Sequence, residues 1–440
     1  MQGEVSDGAS AVKRLPRVRG LPSLPPNATD ARRPGIAGAD ARRDKGRHRM
    51  SFDFDRIIDR RATHSSKWDK MEGIYGVSPD SGIPMWVADM DFAAPPAVAD
   101  AVRAAADHGV FGYFGDDRDY LAAMTGFMRR RHGWEVDPSW VLTTHGLVAG
   151  TGLCVQAFTK PGEGVILFTP VYHAFARIIA ANGRRVVESV LEEVNGRYEM
   201  NLDALAASLD GSERMLMFCS PHNPGGRVWS PEEIRAVAAF CEAHDLVFVS
   251  DEVHCDLVFP GATHTVASLA APDAVARTVV MIASTKTFNI AGAHVGAVII
   301  EDPALRAKFA GAHAASGSSP NALGMLMATA AFAHGDAWLD GLVDYLDGNR
   351  KLFDDGVNAI PGLRSMALDA TYLAWVDFSG TGMTRQEFTD RVEKTAEIAA
   401  NHGPSFGSGG DTWLRFNIAT PRAVVAQAVD RLQAAFADLQ

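Results

Sequence analysis

Short apolar runs alternate along this chain with longer stretches whose apolar positions recur every three or four residues. Val165-Ile166-Leu167-Phe168, Met215 to Cys219, Leu246 to Ser250 and Thr278 to Met281 read as strands buried on both faces. Between them the period becomes helical. Pro95-Pro96 opens a segment to His108 with Ala97, Val98, Ala101, Val102 and Ala105 on one stripe. Tyr120 to His132 is a second helix stopped by Gly133, and Val148 to Phe158 a third. Glu232 to His244 is a fourth, with Ser230-Pro231 as cap and first turn. Such alternation predicts an α/β fold with a mainly parallel sheet covered on both faces. After about Ala328 the pattern changes to a long helical stretch, strands around Leu373 to Val376 and Thr412 to Ile418, and a last helix from Arg422 to Leu439. The expected division is an extension over 1–50, a joining segment over 51–95, a large domain over 96–327 and a small α+β domain over 328–440. No internal repeat is present.

Three of the strands run into polar residues. Met215 to Cys219 leads to Ser220-Pro221-His222-Asn223, Leu246 to Ser250 leads to Asp251, and Thr278 to Met281 leads to Thr285-Lys286-Thr287, where a loop is expected with the lysine at its tip. A lone lysine is ordinarily a solvated surface residue, and an Asp after a strand is often a helix cap. The conjunction is more specific, because open α/β sheets bind ligands beyond the carboxyl ends of their strands. An amide, a carboxylate and a lysine so placed suit pyridoxal 5′-phosphate (PLP): the lysine forms the Schiff base, the carboxylate pairs with the pyridinium nitrogen, and the amide bonds the ring oxygen. A fourth junction, Leu142-Thr143-Thr144-His145-Gly146-Leu147-Val148, passes from strand through glycine into helix. It would offer an anion unpaired N–H groups, with Gly146 allowing close approach.

Asn223-Pro224-Gly225-Gly226, Ser250 to His254 and Thr285 to Asn289 resemble the fold-type I PLP enzymes of aminotransferase class I/II. More narrowly, Met85-Trp86-Val87-Ala88-Asp89-Met90-Asp91-Phe92, Phe111-Gly112-Tyr113, Pro170-Val171-Tyr172 and Trp413 to Asn417 resemble the MalY/PatB-type cystathionine β-lyases, or C–S lyases. The resemblance extends from about Phe52 to the C-terminus. It implies a seven-stranded-type sheet between helices with a smaller α+β domain. It implies a homodimer in which Tyr113 reaches the neighbouring subunit's cofactor. It also implies PLP phosphate binding at Gly146 and Leu147, aided by Ser284 and His294, the latter standing where many aminotransferases carry an arginine. Arg415 would clamp the substrate α-carboxylate, with Asp89 beside the substrate. Two readings stand for Tyr172, stacking on the cofactor ring or core packing. Two stand for His254, a bond to the cofactor oxygen or a supporting role. The reaction implied is β-elimination from L-cystathionine or a related S-substituted L-cysteine, with Lys286 as base. An aminotransferase and a regulatory binding protein on the same fold are the alternatives.

Composition narrows the rest. Hydrophobic residues make up 47% and charged residues 22%, as in ordinary globular enzymes. The net charge of −11 argues against nucleic acid as partner, and no apolar run is long enough to span a bilayer. Cys154, Cys219, Cys241 and Cys255 lack metal-ligand spacing and read as reduced core residues of a cytosolic protein. The first 49 residues hold eleven Lys or Arg against five Asp or Glu and no aromatic residue. They are expected to be a disordered basic extension, with Met50 as a candidate start.

Overall fold

The computed structural model describes residues 52–439. The expectations for the basic extension and for Met50 lie outside the described residues.

A seven-stranded sheet forms the centre, in the order Val141–Thr144, Gly296–Ile299, Thr278–Ile282, Val247–Asp251, Glu213–Cys219, Gly164–Thr169, Arg185–Val190. The last five are parallel to one another, while Gly296–Ile299 runs antiparallel to both of its neighbours. The four apolar strands of the sequence pattern are therefore four of the five inner strands, and their residues are almost all buried. The sequence pattern does not mark Gly296–Ile299 or the edge strand Arg185–Val190. The first is four residues long, and the second is half exposed, with polar residues among its valines.

The helices fall close to the expected bounds. Pro96–His108 and Arg118–His132 end on left-handed Gly109 and Gly133. Pro231–Ala243 starts with a capping box, Ser230 accepting from the Glu233 N–H while the Glu233 carboxylate accepts from the Ser230 N–H. The long helical stretch is two helices, Ala322–His334 and Asp336–Asn358, broken at Gly335. A Cβ there would stand 2.3 Å from the Phe288 ring.

A second sheet, antiparallel and four-stranded, has the order Arg364–Ser365, Leu373–Asp377, Trp413–Asn417, Asn401–His402. The segment before Pro95 joins it: Ile83–Pro84 pairs in parallel with Ile398–Ala399, and the Asn417 N–H donates to the Met85 carbonyl at 2.7 Å. Among the described residues no helix is long and apolar enough to cross a membrane. All four cysteines are free and buried.

Candidate active site

A cavity of about 700 Å³ opens where five strands of the central sheet end. Thr144 leads to His145, Gly146 and Leu147. Thr169 leads to Tyr172, Cys219 to Asn223, Asp251 ends its own strand, and Ile282 leads to Thr285 and Lys286. All of these except the threonines and Ile282 that end the strands, with Thr285 retained, line the cavity, and Trp86 to Ala88 and Arg415 close it from the other side.

Lys286 does not stand in a loop as expected. It sits in a single helical turn, Ser284–Thr287. Thr287 Oγ1 donates to Asp256 at 2.6 Å, and the other oxygen of that carboxylate meets His132 Nε2 at 2.6 Å. The turn is thus fixed to the end of the helix Arg118–His132. His132, Asp256 and Cys255 bring atoms able to bind a metal within 4.8 Å of one another, which cysteine spacing alone did not reveal. The Lys286 ammonium donates to the Ala88 carbonyl at 2.6 Å. Burial pushes its pKa down to about 8; Asp89 and Asp251 oppose that push and Arg415 adds to it.

Asp251 is buried and accepts one backbone bond, from the Val253 N–H at 3.1 Å. Burial pushes its pKa up to about 7, and neighbouring Glu252 adds to this. Lys286 is the cation that opposes the rise. A protonated ring nitrogen beside Asp251 would supply the partner that its ionised form lacks. Arg415 shows the converse. It is 2% exposed and, among the described residues, donates only to neutral acceptors: Asn223 Oδ1 at 3.0 Å, the Trp86 carbonyl at 2.9 Å and Asn401 Oδ1 at 2.5 Å. Its Nε has no partner, its guanidinium lies 4.9 Å from the Phe406 ring, and burial pushes its pKa down to about 10. A buried cation so placed calls for an anion.

Gly146, at φ +78°, caps the helix Leu147–Phe158 with no side chain on its first N–H groups, and Gly146, Leu147, Val148 and Ala149 all line the cavity. A Cβ on Gly146 would approach His294. His294 is left-handed at φ +49°, and its ring stacks on His145 at 5.0 Å. Ser284 is buried with an unpartnered hydroxyl. His254 is buried and kept neutral by burial, with its pKa pushed down to about 3; its Nδ1 has no partner. Tyr172 lines the cavity and packs its edge on Phe175 at 5.5 Å. These unpaired groups, a free helix end, a carboxylate without a full counter-charge and a buried lysine fit PLP by charge and chemistry.

Two expected residues lie elsewhere. Asp89 does not face this cavity. Arg60 grips its carboxylate at 2.9 and 3.0 Å beside a smaller cavity of about 330 Å³, which corrects the expectation that Asp89 contacts substrate. Tyr113 is fully exposed, so the cavity of its own chain lacks it.

The side chains that the sequence did not single out hold the Trp86–Phe92 segment. Asn417 donates to the Val87 and Asp89 carbonyls, Tyr372 to Ala88, Lys67 to Asp89, and Asn289 to Met90 and Phe92. Lys67, fully buried, also pairs with Asp91 at 2.7 Å. Asn289 and Asn417 lie within the segments Thr285 to Asn289 and Trp413 to Asn417, whereas nothing in the sequence pattern marks Lys67 or Tyr372.

The family description Aminotransferase class I and II matches residues 82–432. The chain is 36% identical to Cystathionine beta-lyase PatB of Bacillus subtilis over 387 residues, 87% of this chain and 100% of that one. It is 30% identical to Protein MalY of Escherichia coli, covering 86% of this chain and 97% of that protein. Cystalysin from Treponema denticola, whose crystal structure contains pyridoxal 5′-phosphate, superposes with a TM-score of 0.85 at 34% identity, over 89% of this chain and 100% of that one. The chain belongs to the aminotransferase class I and II family, in its MalY/PatB-type C–S lyase branch.

Proposed function

We propose that the protein is a PLP-dependent C–S lyase that cleaves L-cystathionine or a related S-substituted L-cysteine to a thiol, pyruvate and ammonia. The observation that carries this reading is the opposition, across one cavity, of buried Arg415 without an anionic partner and buried Lys286 beside Asp251.

Arg415 would take the α-carboxylate through its free Nε and terminal nitrogens, and Asn223 and Asn401 keep the fork oriented. This fixes the amino acid with its Cα toward Lys286. The Lys286 amine, with its proton affinity lowered by burial, accepts the Cα proton. Asp251, ionised once a protonated cofactor nitrogen pairs with it, would hold that nitrogen, and His254, neutral, lines the same cavity. The Gly146–Ala149 helix end, with Ser284 and His294, would hold the phosphate. PLP, when bound, supplies the electron sink for the pair left at Cα and returned to expel the thiolate from Cβ. Water then completes the release of pyruvate and ammonia. The chain would act as a cytoplasmic homodimer, with Tyr113 of each subunit reaching the other's cavity; its full exposure and the large exposure of neighbouring Val110 and Phe111 support the shared site.

The purified holoenzyme should form pyruvate from L-cystathionine with no keto acid added. Lys286→Ala should lose the visible absorbance that borohydride removes, and with it at least roughly 10⁴-fold in turnover. Steady glutamate from 2-oxoglutarate, with no pyruvate from any cysteine thioether, would favour the aminotransferase reading. PLP binding without turnover of either kind would favour a regulatory role.

A further inference from the structure

The residue after the carbonyl that receives Lys286 is Asp89, the anionic side chain that most favours the lysine's charged form. Asp89 is not left free to do so. Arg60, from the segment preceding the first helix, Ser66–Asp69, grips it with two parallel bonds, NH1 to Oδ1 at 2.9 Å and NH2 to Oδ2 at 3.0 Å. The same guanidinium reaches Asp91 Oδ1 at 2.8 Å and the Met90 carbonyl at 3.1 Å. Arg60 does not line the cavity that holds Lys286; it lines the smaller one behind the Trp86–Phe92 segment.

We propose that Arg60 is a positioning residue that sets the proton affinity of Lys286 by neutralising Asp89 from behind the cavity wall. The inference rests on the reading of Lys286 as the base. Among the described residues, the charged groups that act on Lys286 come from three elements: Asp89 on the N-terminal segment, behind the cavity wall, Asp251 at its strand end, and Arg415 on Trp413–Asn417. His254 faces it uncharged, and the Tyr372 hydroxyl shares the Ala88 carbonyl with it at 3.0 Å. Burial and Arg415 prevail over Asp89 and Asp251, so the amine is available as a base near pH 8; the two bonds from Arg60 make Asp89 half of an ion pair, which would limit its pull on the ammonium. Without Arg60 the full charge of Asp89 would act on the ammonium across a poorly solvated gap, and the amine would hold its proton to higher pH. Asp91 keeps Lys67, so the segment remains tied when Arg60 is replaced.

The test is the pH dependence of kcat in the holoenzyme, with Arg60→Gln, Arg60→Lys, Asp89→Asn and the Arg60→Gln/Asp89→Asn double variant. Arg60→Gln should move the acidic limb upward by roughly 0.5–1 pH unit. Arg60→Lys should restore it toward the wild-type position. In the Asp89→Asn background, replacing Arg60 should no longer move the limb. A fall in kcat at every pH with the limbs unmoved would mean that Arg60 only holds the fold, and would overturn the proposal. So would a shift that survives in the double variant. If the wild type turns over no amino acid, it is the lyase reading that fails. The pH titration of the lysine-borne visible absorbance in the same variants then decides the role of Arg60 separately: a limb that moves with Arg60→Gln and stays put in the double variant supports it, and unmoved limbs reject it.

Discussion

Along the inner strands of the central sheet, Glu213–Cys219, Val247–Asp251 and Thr278–Ile282, backbone pairs with backbone on both sides. Along Trp86–Phe92, whose first three residues close the same cavity opposite them, carbonyl groups are taken by side chains: Arg415, Asn417, Lys286 and Tyr372, Lys67, Arg60 and Asn289. Both walls obey one rule, that buried polar backbone must find a partner. The sheet meets it without spending side chains, so its residues are free to be apolar and only its ends carry chemistry. The irregular wall meets it with asparagines, cations and a tyrosine, so structure and chemistry share the same residues. Substitutions should therefore separate into two kinds, with stability and activity falling together at one wall and apart at the other.

The largest effect sharpens this at Arg415, which belongs to both roles. Arg415→Ala removes the proposed carboxylate clamp and also a donor to the Trp86 carbonyl. We expect kcat/KM to fall by about 2–5 kcal/mol, mostly through KM, with a lower Tm as well. A fall in kcat/KM with the melting temperature unchanged would show that Arg415 serves substrate alone.

The second test compares two buried aspartates. On the irregular wall, burial opposes ionisation of Asp91, but Lys67 and Arg60 prevail and hold its carboxyl below the usual range. At the sheet end, Asp251 is raised to about 7. A raised folded value means that the native state binds the proton more tightly than the unfolded chain. Stability from Asp251 is therefore present below about pH 4 and lost as pH rises toward 7. For Asp91 the sign reverses, with stability present above the unfolded value and lost on acidification. In cofactor-free protein, Asp251→Asn should remove a destabilisation of up to about 4 kcal/mol at pH 8 and leave stability at pH 4 nearly unchanged. Urea unfolding at the two pH values measures this, and an equal change at both would refute the assignment.

Asn417→Ala comes next. It strips the Val87 and Asp89 carbonyls of one donor each, at 2.6 and 2.5 Å, in a fully buried position. A loss of about 1–3 kcal/mol is expected. Turnover per folded molecule should fall with it, because Ala88, between those carbonyls, receives Lys286. Retained turnover in a destabilised protein would break the link between the two roles on this wall.

The two walls were also unequally legible. Strand runs such as Val165 to Phe168 announce themselves by hydrophobicity, and Asn223, Asp251 and Lys286 follow from them by position. Side chains bonding to carbonyls follow no period, so Arg60, Lys67 and Tyr372 were invisible as a set. Asp89 was misplaced because a motif shows which residues recur and not which way they point. The helical turn at Lys286 escapes the sequence pattern for a similar reason. A four-residue turn has no periodicity, and what fixes it, Thr287 on Asp256, depends on a partner thirty-one positions away.

The smallest effect belongs to the sheet's supporting layer. Ser230 accepts from the Glu233 N–H and so satisfies one of the free donors that begin the helix Pro231–Ala243. None of its contacts reaches the cavity. Ser230→Ala should cost about 1 kcal/mol, read as a lower urea midpoint with an unchanged slope. Turnover per folded molecule should match the wild type, because the strands that carry Asn223 and Asp251 are held by their neighbours, Gly164–Thr169 and Thr278–Ile282, and not by this cap. A drop in kcat at full folding would show that helix ends behind the sheet transmit to its strand ends. The separation of stability from chemistry on the regular wall would then fail.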